Sequence, residues 1–305
     1  YEESPAFLGS PAVRLDFTTE VKPPQYLLRP MVYRGQPTLL YGHGGGGKSI
    51  VALAIACIAA TPWLTNPLKL APVVMGVPTG YLDWETSEDE VRWRLKAMRE
   101  GCGIPPGREI LYRHCLRPLV EDFEAIETVV KSNGLEFLVI DSLGGACGDD
   151  LKENKVANSL FTALRKLGCA SLLITHLTKA DIQSAATTPF GSTYFWNWAR
   201  MVWEAKKNQE PGEDSMSLGL FHRKANNSRL HSPIGLQLDF HNEGDDLQRL
   251  SIKRLDLVED IELSKNLSAA VRIEAVLRRG VLGAADLADE LGLPEGTVRP
   301  TLHRM

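Results

Sequence analysis

The sequence predicts an α/β fold in which a mostly parallel sheet is flanked by helices and followed by a small all-α module. Three observations predict it. Between 38 and 176, short apolar runs ending in polar residues alternate with helical stretches, the pattern of parallel strands joined by crossover helices. A glycine-rich loop, GHGGGGKS at 42–49, stands between an apolar strand and an apolar helix. From about 270 the apolar runs give way to three short helical pieces.

The elements follow in order. Residues 1–30 are Pro-rich and weakly periodic, an arm entering the core at 26–32. TLLY (38–41) reads as the first core strand and SIVALAIACIAA as a buried helix. GYLDWE (80–85) is the next strand, and SEDEVRWRLKAM the next helix, with Ser87 and Glu90 at capping-box spacing and Val91, Leu95 and Met98 along one face. LEFLVID (135–141), a helix striped by Val156, Leu160, Leu164 and Leu167, and SLLITH (171–176) continue the alternation. The polar, aperiodic 178–192 reads as a mobile loop, and runs at 200–205, 217–222 and 235–240 as antiparallel strands extending the sheet. The expected division is an arm at 1–30, a core domain at 31–258 and a helical module at 265–305.

With 305 residues, 44% of them apolar, the chain has enough material for one large core and an appendage. No run approaches the ~18 apolar residues of a membrane helix and no signal segment opens the chain, so a cytoplasmic protein without a membrane partner is expected. The ends at Tyr1 and Met305 read as those of a fragment. A net charge of −4 excludes an overall basic footprint for nucleic acid, while leaving room for a locally basic face. Five cysteines without a CxxC pair read as reduced thiols, and the adjacent His114 and Cys115 as residues that do not converge on a metal ion.

Four successive glycines each cost about 0.5–1 kcal/mol of backbone entropy relative to alanine, so something must require them. Gly42, Gly47, Lys48 and Ser49 match GxxxxGK[ST] between a strand and a helix. Bare amides in such a loop and at a helix N-terminus cradle phosphates. The expected nucleotide contacts are Gly42, Gly44, Gly45, Gly46, Gly47, Lys48, Ser49 and Ile50, with Lys48 on the terminal phosphates and Ser49 on Mg2+. Gly42, Gly44 and Gly47 also fit the dinucleotide fingerprint GxGxxG, which gives Lys48 no role and expects an acid about 20 residues on, where none ends a strand. FLVID places Asp141 at a strand's carboxyl end as the second magnesium-directing group. Glu85 is the expected water-polarising base, with Asp83 and Glu88 as substitutes, and His176, ending SLLITH, is positioned to hydrogen-bond the γ-phosphate or its water.

This series resembles the RecA-like hexameric ATPases, and within them the plasmid RepA and DnaB type of replicative helicase. The resemblance runs over about 25–255 through YLLRPMVYRGQPTLLYGHGGGGKS, YLDWETSEDEVRWRLKAM, LVIDSLGG, LLITHLTK and FGSTYFWNWARMVWEAKK. It implies a ring, a hexamer, with ATP and Mg2+ between subunits and loops gripping single-stranded DNA. By resemblance Glu85 is the catalytic glutamate, Asp141 the magnesium-directing aspartate, His176 the sensor, Arg200 an arginine finger reaching the neighbour's nucleotide, and Arg223 and Lys224 a basic pair at the same interface. Two departures stand out: no primase-interacting domain precedes the core, and the 179–189 loop offers one lysine, Lys179, with Lys206 and Lys207 nearby. LADELGLPEGTVRPTLHRM resembles the last two helices of a winged helix-turn-helix, with Leu287, Ala288, Leu291, Val298 and Leu302 as its core and Arg299, His303 and Arg304 facing duplex DNA or a protein partner through 284–305. Three functions follow: a DNA-translocating ATPase, an ATP-driven regulatory switch, and a small-molecule kinase, the last lacking its arginine-rich lid.

Overall fold

Nine strands build one sheet in the order β12-β11-β10-β9-β3-β8-β7-β5-β6, and three short ones, β2-β1-β4, form a second. This computed structural model describes residues 14, 18, 23–148, 150–177, 193–244 and 246–305. Most of the expected arm and the whole 178–192 segment lie outside the described residues.

The strands are β1 (Tyr26–Arg29), β2 (Val32–Tyr33), β3 (Pro37–Gly42), β4 (Ala71–Pro72), β5 (Thr79–Asp83), β6 (Ile110–His114), β7 (Phe137–Asp141), β8 (Ala170–His176), β9 (Met201–Asn208), β10 (Ser215–Ala225), β11 (Ile234–Glu243) and β12 (Asp246–Arg254). The core helices are α1 (Lys48–Ala60), α2 (Glu88–Cys102), α3 (Phe123–Ser132), α4 (Leu143–Cys147), α5 (Asn154–Leu167) and α6 (Thr193–Trp198). α7 (Ile261–Ser264), α8 (Ala269–Leu277), α9 (Ala284–Leu291) and α10 (Glu295–Arg304) follow.

The parallel part matches the sequence pattern because β3, β5, β7 and β8 are buried on both faces and therefore read as continuous apolar runs. α1 is apolar all round and buried from Val51 to Ala60. α2 starts as expected, Ser87 Oγ accepting from the Glu90 amide at 3.3 Å, with Val91 and Met98 buried. One correction concerns β9, which runs parallel to β3 and antiparallel to β10; the antiparallel extension begins one strand later. The sheet curls around α1 and α2 so far that α2 meets both β6 and β12, its two edges. The opposite face is covered by α3, α4, α5 and α6.

The last three helices share a separate apolar cluster of Ile273, Val276, Leu287, Ala288 and Val298. α8 thus supplies part of the centre, while Leu291 and Leu302 sit at its rim. Gly292 ends α9 in the left-handed conformation (φ 57°), so the turn falls at the expected place. Arg299 pairs with Glu295 one helical turn away, and His303 and Arg304 are exposed. No helix among the described residues is long and apolar enough to cross a membrane.

Candidate active site

Parallel register gathers the chemistry on one rim. Gly42 stands opposite His176 on β8 and Ala205 on β9, and Asp83 opposite Asp141 on β7 and His114 on β6. These are the carboxyl ends of the strands, where open α/β sheets bind ligands. β8 intervenes between β3 and β7, so Asp141 lies one strand away from the glycine loop rather than directly beside it, and side chains bridge the gap.

The loop's glycines have different causes. A Cβ on Gly42 would stand 2.3 Å from the Ala205 carbonyl oxygen, so strand packing alone demands glycine there. Gly47, at φ 71°, occupies the left-handed region as it opens α1. Gly45 also has a positive φ (63°), and the Gly46 amide donates to the His43 carbonyl at 3.2 Å. Gly44 differs: its φ is not in the left-handed region and a Cβ would meet nothing within 4 Å among the described residues. Neither strain nor packing explains that glycine, whereas a phosphate approaching the amides does.

Lys48 is 3% exposed, and its Nζ donates to the carbonyls of Gly42 at 3.1 Å and His43 at 2.6 Å. Burial lowers its pKa to about 8, against the opposing pull of Asp141 and Glu85. Ile50 only leans against the main core.

His176 joins the lysine to the expected base. Its Nδ1 lies 3.2 Å from Lys48 Nζ and its Nε2 3.2 Å from Glu85 Oε1. A protonated amine only donates, so Nδ1 accepts and the ring proton sits on Nε2, donating to Glu85. Ser142 Oγ donates to the same carboxylate oxygen. These bonds, His176's foremost, lower the Glu85 pKa against burial and keep it an ionised acceptor. Glu85 and His176 remain 40% and 43% exposed, so both are open to a ligand.

Asp141 is buried, and its Oδ2 accepts from Tyr81 Oη at 2.6 Å. Among the described residues Oδ1 has no hydrogen bond; the Ser49 hydroxyl is near enough to favour the charged carboxyl yet does not satisfy this oxygen. Burial raises the Asp141 pKa, and the charges of Glu85 and Asp83 add to the effect. An orphaned buried oxygen beside a serine hydroxyl fits Mg2+, which takes one or two protein oxygens and completes its shell with phosphate and water. No group of three or more His, Cys, Asp or Glu side chains that could hold a metal ion occurs among the described residues.

Asp83 and Glu88, the alternative bases, have other occupations. Asp83 Oδ1 accepts the amides of Glu85 at 2.9 Å and Thr86 at 3.1 Å, and Oδ2 accepts Thr86 Oγ1 at 2.6 Å and Tyr112 Oη at 3.2 Å. It holds the turn that presents Glu85. Glu88 pairs with Arg92 on the exposed side of α2.

The interface candidates lie elsewhere. The Arg200 amide donates to Pro37 O at 2.9 Å, at the amino end of β3. Five steps of strand separate that rim from Gly42, about 16 Å at ~3.3 Å per residue, so Arg200 does not approach its own loop. Lys224 Nζ donates to three carbonyls at the end of α6, those of Trp196, Asn197 and Ala199, at 2.6, 2.9 and 2.7 Å. Burial and the nearby Arg200 bring its pKa to about 8. It fastens the helix leading into Arg200 rather than standing free at an interface. Arg223 reaches the buried Glu204 at 2.6 Å. His114 is exposed while Cys115 is a buried thiol whose pKa rises to about 11, and all five cysteines are free.

Sequence reasoning missed Tyr81 and Ser142, both next to or near residues it did select. The signal was present in the alternation of GYLD, which sends Tyr81 and Asp83 to the same face.

A glycine loop closing on a buried lysine, with a serine, an aspartate and a histidine-bound glutamate around it on the carboxyl rim of a mostly parallel sheet, defines a RecA-like P-loop ATPase domain. The chain belongs to the AAA domain family AAA_25, whose model matches residues 3–181. That span holds Lys48, Ser49, Glu85, Asp141 and His176. No curated protein matches the chain. Among solved structures it is similar to a KaiC-like protein of the hyperthermophilic archaeon Pyrococcus horikoshii OT3, at 18% identity over 77% of this chain and 98% of that one, with a TM-score of 0.47.

Proposed function

We propose that the chain is a magnesium-dependent ATPase that assembles into a ring, a hexamer, and moves along single-stranded DNA during replication of a plasmid, phage or mobile element. The observation that carries the ATPase reading is the continuous contact Lys48–His176–Glu85, with Asp141's free oxygen beside Ser49. Lys48 and the loop amides bind the β- and γ-phosphates. Ser49 and Asp141 hold Mg2+, which would neutralise phosphate charge when bound. Glu85, kept ionised by His176 and Ser142, polarises water, and His176 carries the state of the γ-phosphate site from Lys48 to Glu85. Arg200, too far from its own loop, completes the site of a neighbour, with Lys224 fixing its approach.

A second reading has an observation of its own. The segment leading to the C-terminal helices is tied to β9, through Lys206–Asn266 at 2.7 Å and Asn208–Asp260 at 3.2 Å. An ATP-driven switch that repositions a helix-turn-helix on a promoter or protein partner would use this link. ATP turnover measured with and without single-stranded DNA separates the two. Stimulation together with strand binding supports the translocase; turnover without either favours the switch; no turnover under any condition removes both.

A further inference from the structure

The tip of β9 carries two lysines in succession, and strand alternation sends them to opposite faces. Lys206 goes to the face away from α1, where its Nζ donates to Asn266 Oδ1 at 2.7 Å and lies 3.6 Å from Glu204. Asn208, on the same face, donates to Asp260 at 3.2 Å. Ala205 and Lys207 take the face of the glycine loop: Ala205 packs on Gly42, and a Cβ placed on Gly45 would stand 4.0 Å from Lys207 Nζ. Flanked by two anchored residues, the Lys207 backbone is fixed while its side chain overhangs the loop.

Its basic neighbours on this rim are engaged: Lys48 by loop carbonyls and Lys206 by Asn266. Lys207 is exposed, and among the described residues no hydrogen bond or ion pair takes up its ammonium. β9 and β8 flank β3 on opposite sides. Lys48 reaches toward His176 on β8, so the two ammonium groups approach the loop from its two sides. An unpaired cation held over an amide nest has one natural counterpart, an anion lying in that nest.

We propose that Lys207 is a phosphate-binding residue of its own subunit's nucleotide site, closing on the polyphosphate from the side opposite Lys48. By sequence Lys207 counts only as a lysine near the 179–189 loop; its assignment to the nucleotide site rests on reading the glycine loop as an ATP site.

The test is the affinity of ATP and of inorganic tripolyphosphate for the unaltered protein, Lys207→Ala and Lys207→Arg at fixed low salt, with thermal unfolding of each protein alone. Loss of one charge-assisted contact predicts dissociation constants raised about tenfold for both ligands in Lys207→Ala. Lys207→Arg keeps the charge and stays within about threefold of the original, and Tm is unchanged because the side chain is exposed and unpaired. Affinities for Lys207→Ala within about twofold of the original overturn the assignment and leave the loop reading intact. A matching loss of Tm overturns it as well, the effect then being structural. If the unaltered protein binds neither ligand, the nucleotide site itself is refuted.

Discussion

Replacing Asp83 by alanine tests whether the catalytic rim is assembled as described. The substitution strands two backbone amides, those of Glu85 and Thr86, that now donate at 2.9 and 3.1 Å to one carboxylate oxygen. It also removes the acceptor for the Thr86 and Tyr112 hydroxyls. An orphaned donor costs about 1–3 kcal/mol, and water reaches part of this turn, so a loss of about 2–4 kcal/mol is expected. In a domain of this size that lowers Tm by roughly 5–10 °C. Glu85 then loses its fixed approach, and a displacement near 1 Å costs turnover about 10²-fold. The glycine loop hangs from a different strand, so KM for ATP stays within about threefold. Asp83→Asn keeps the oxygen that accepts both amides, and its turnover falls about tenfold at most. Steady-state ATPase assays on both variants, with thermal melts, give the comparison. A kcat for Asp83→Ala within about threefold of the original would refute the argument that this carboxylate positions Glu85.

Three other outcomes follow from the same geometry. Burial lowers Lys48 to a pKa of about 8, so the ammonium that binds phosphate is present below pH 8 and lost above it; nucleotide affinity weakens about tenfold by pH 9, and a flat calorimetric profile from pH 7 to 9.5 would contradict it. Tyr81→Phe removes the hydrogen bond from Tyr81 Oη to Asp141 Oδ2 and lets burial raise that carboxyl further; the Mg2+ concentration giving half-maximal turnover should rise about tenfold, since bonds to charged groups are worth about 1.5–3 kcal/mol. Arg200→Ala should cut turnover at least ~10³-fold while nucleotide binding stays nearly intact; parallel loss of binding would argue against action on a neighbouring subunit's phosphate.

Much of this was legible in the residues. β3, β7 and β8 announced themselves as apolar runs because both faces are covered, and α1 because no side of it meets water. β12 did not: only Leu250 and Ile252 are buried in it, the signature of an edge strand resting on one helix. The direction of β9 was equally hidden, since alternation is the same read either way. In the site, residue types were readable and contacts were not. Lys48 and His176 are 128 residues apart and His176 and Glu85 are 91 apart, so only the sheet register brings them within a hydrogen bond. Asp83 looked like a rival base because a strand-end carboxylate has the same letter whether it faces water or binds its own turn.

Gly42 and Arg200 mark opposite rims of the same strands. The proposed action of Arg200 on a neighbour's loop can be met in two ways: by an antiparallel side-by-side pair, in which each copy serves the other, or by a head-to-tail stack, whose contacts either return on themselves or run on indefinitely. Within such a stack the angle between successive copies, more than the strength of any one contact, decides between a closed circle and a filament.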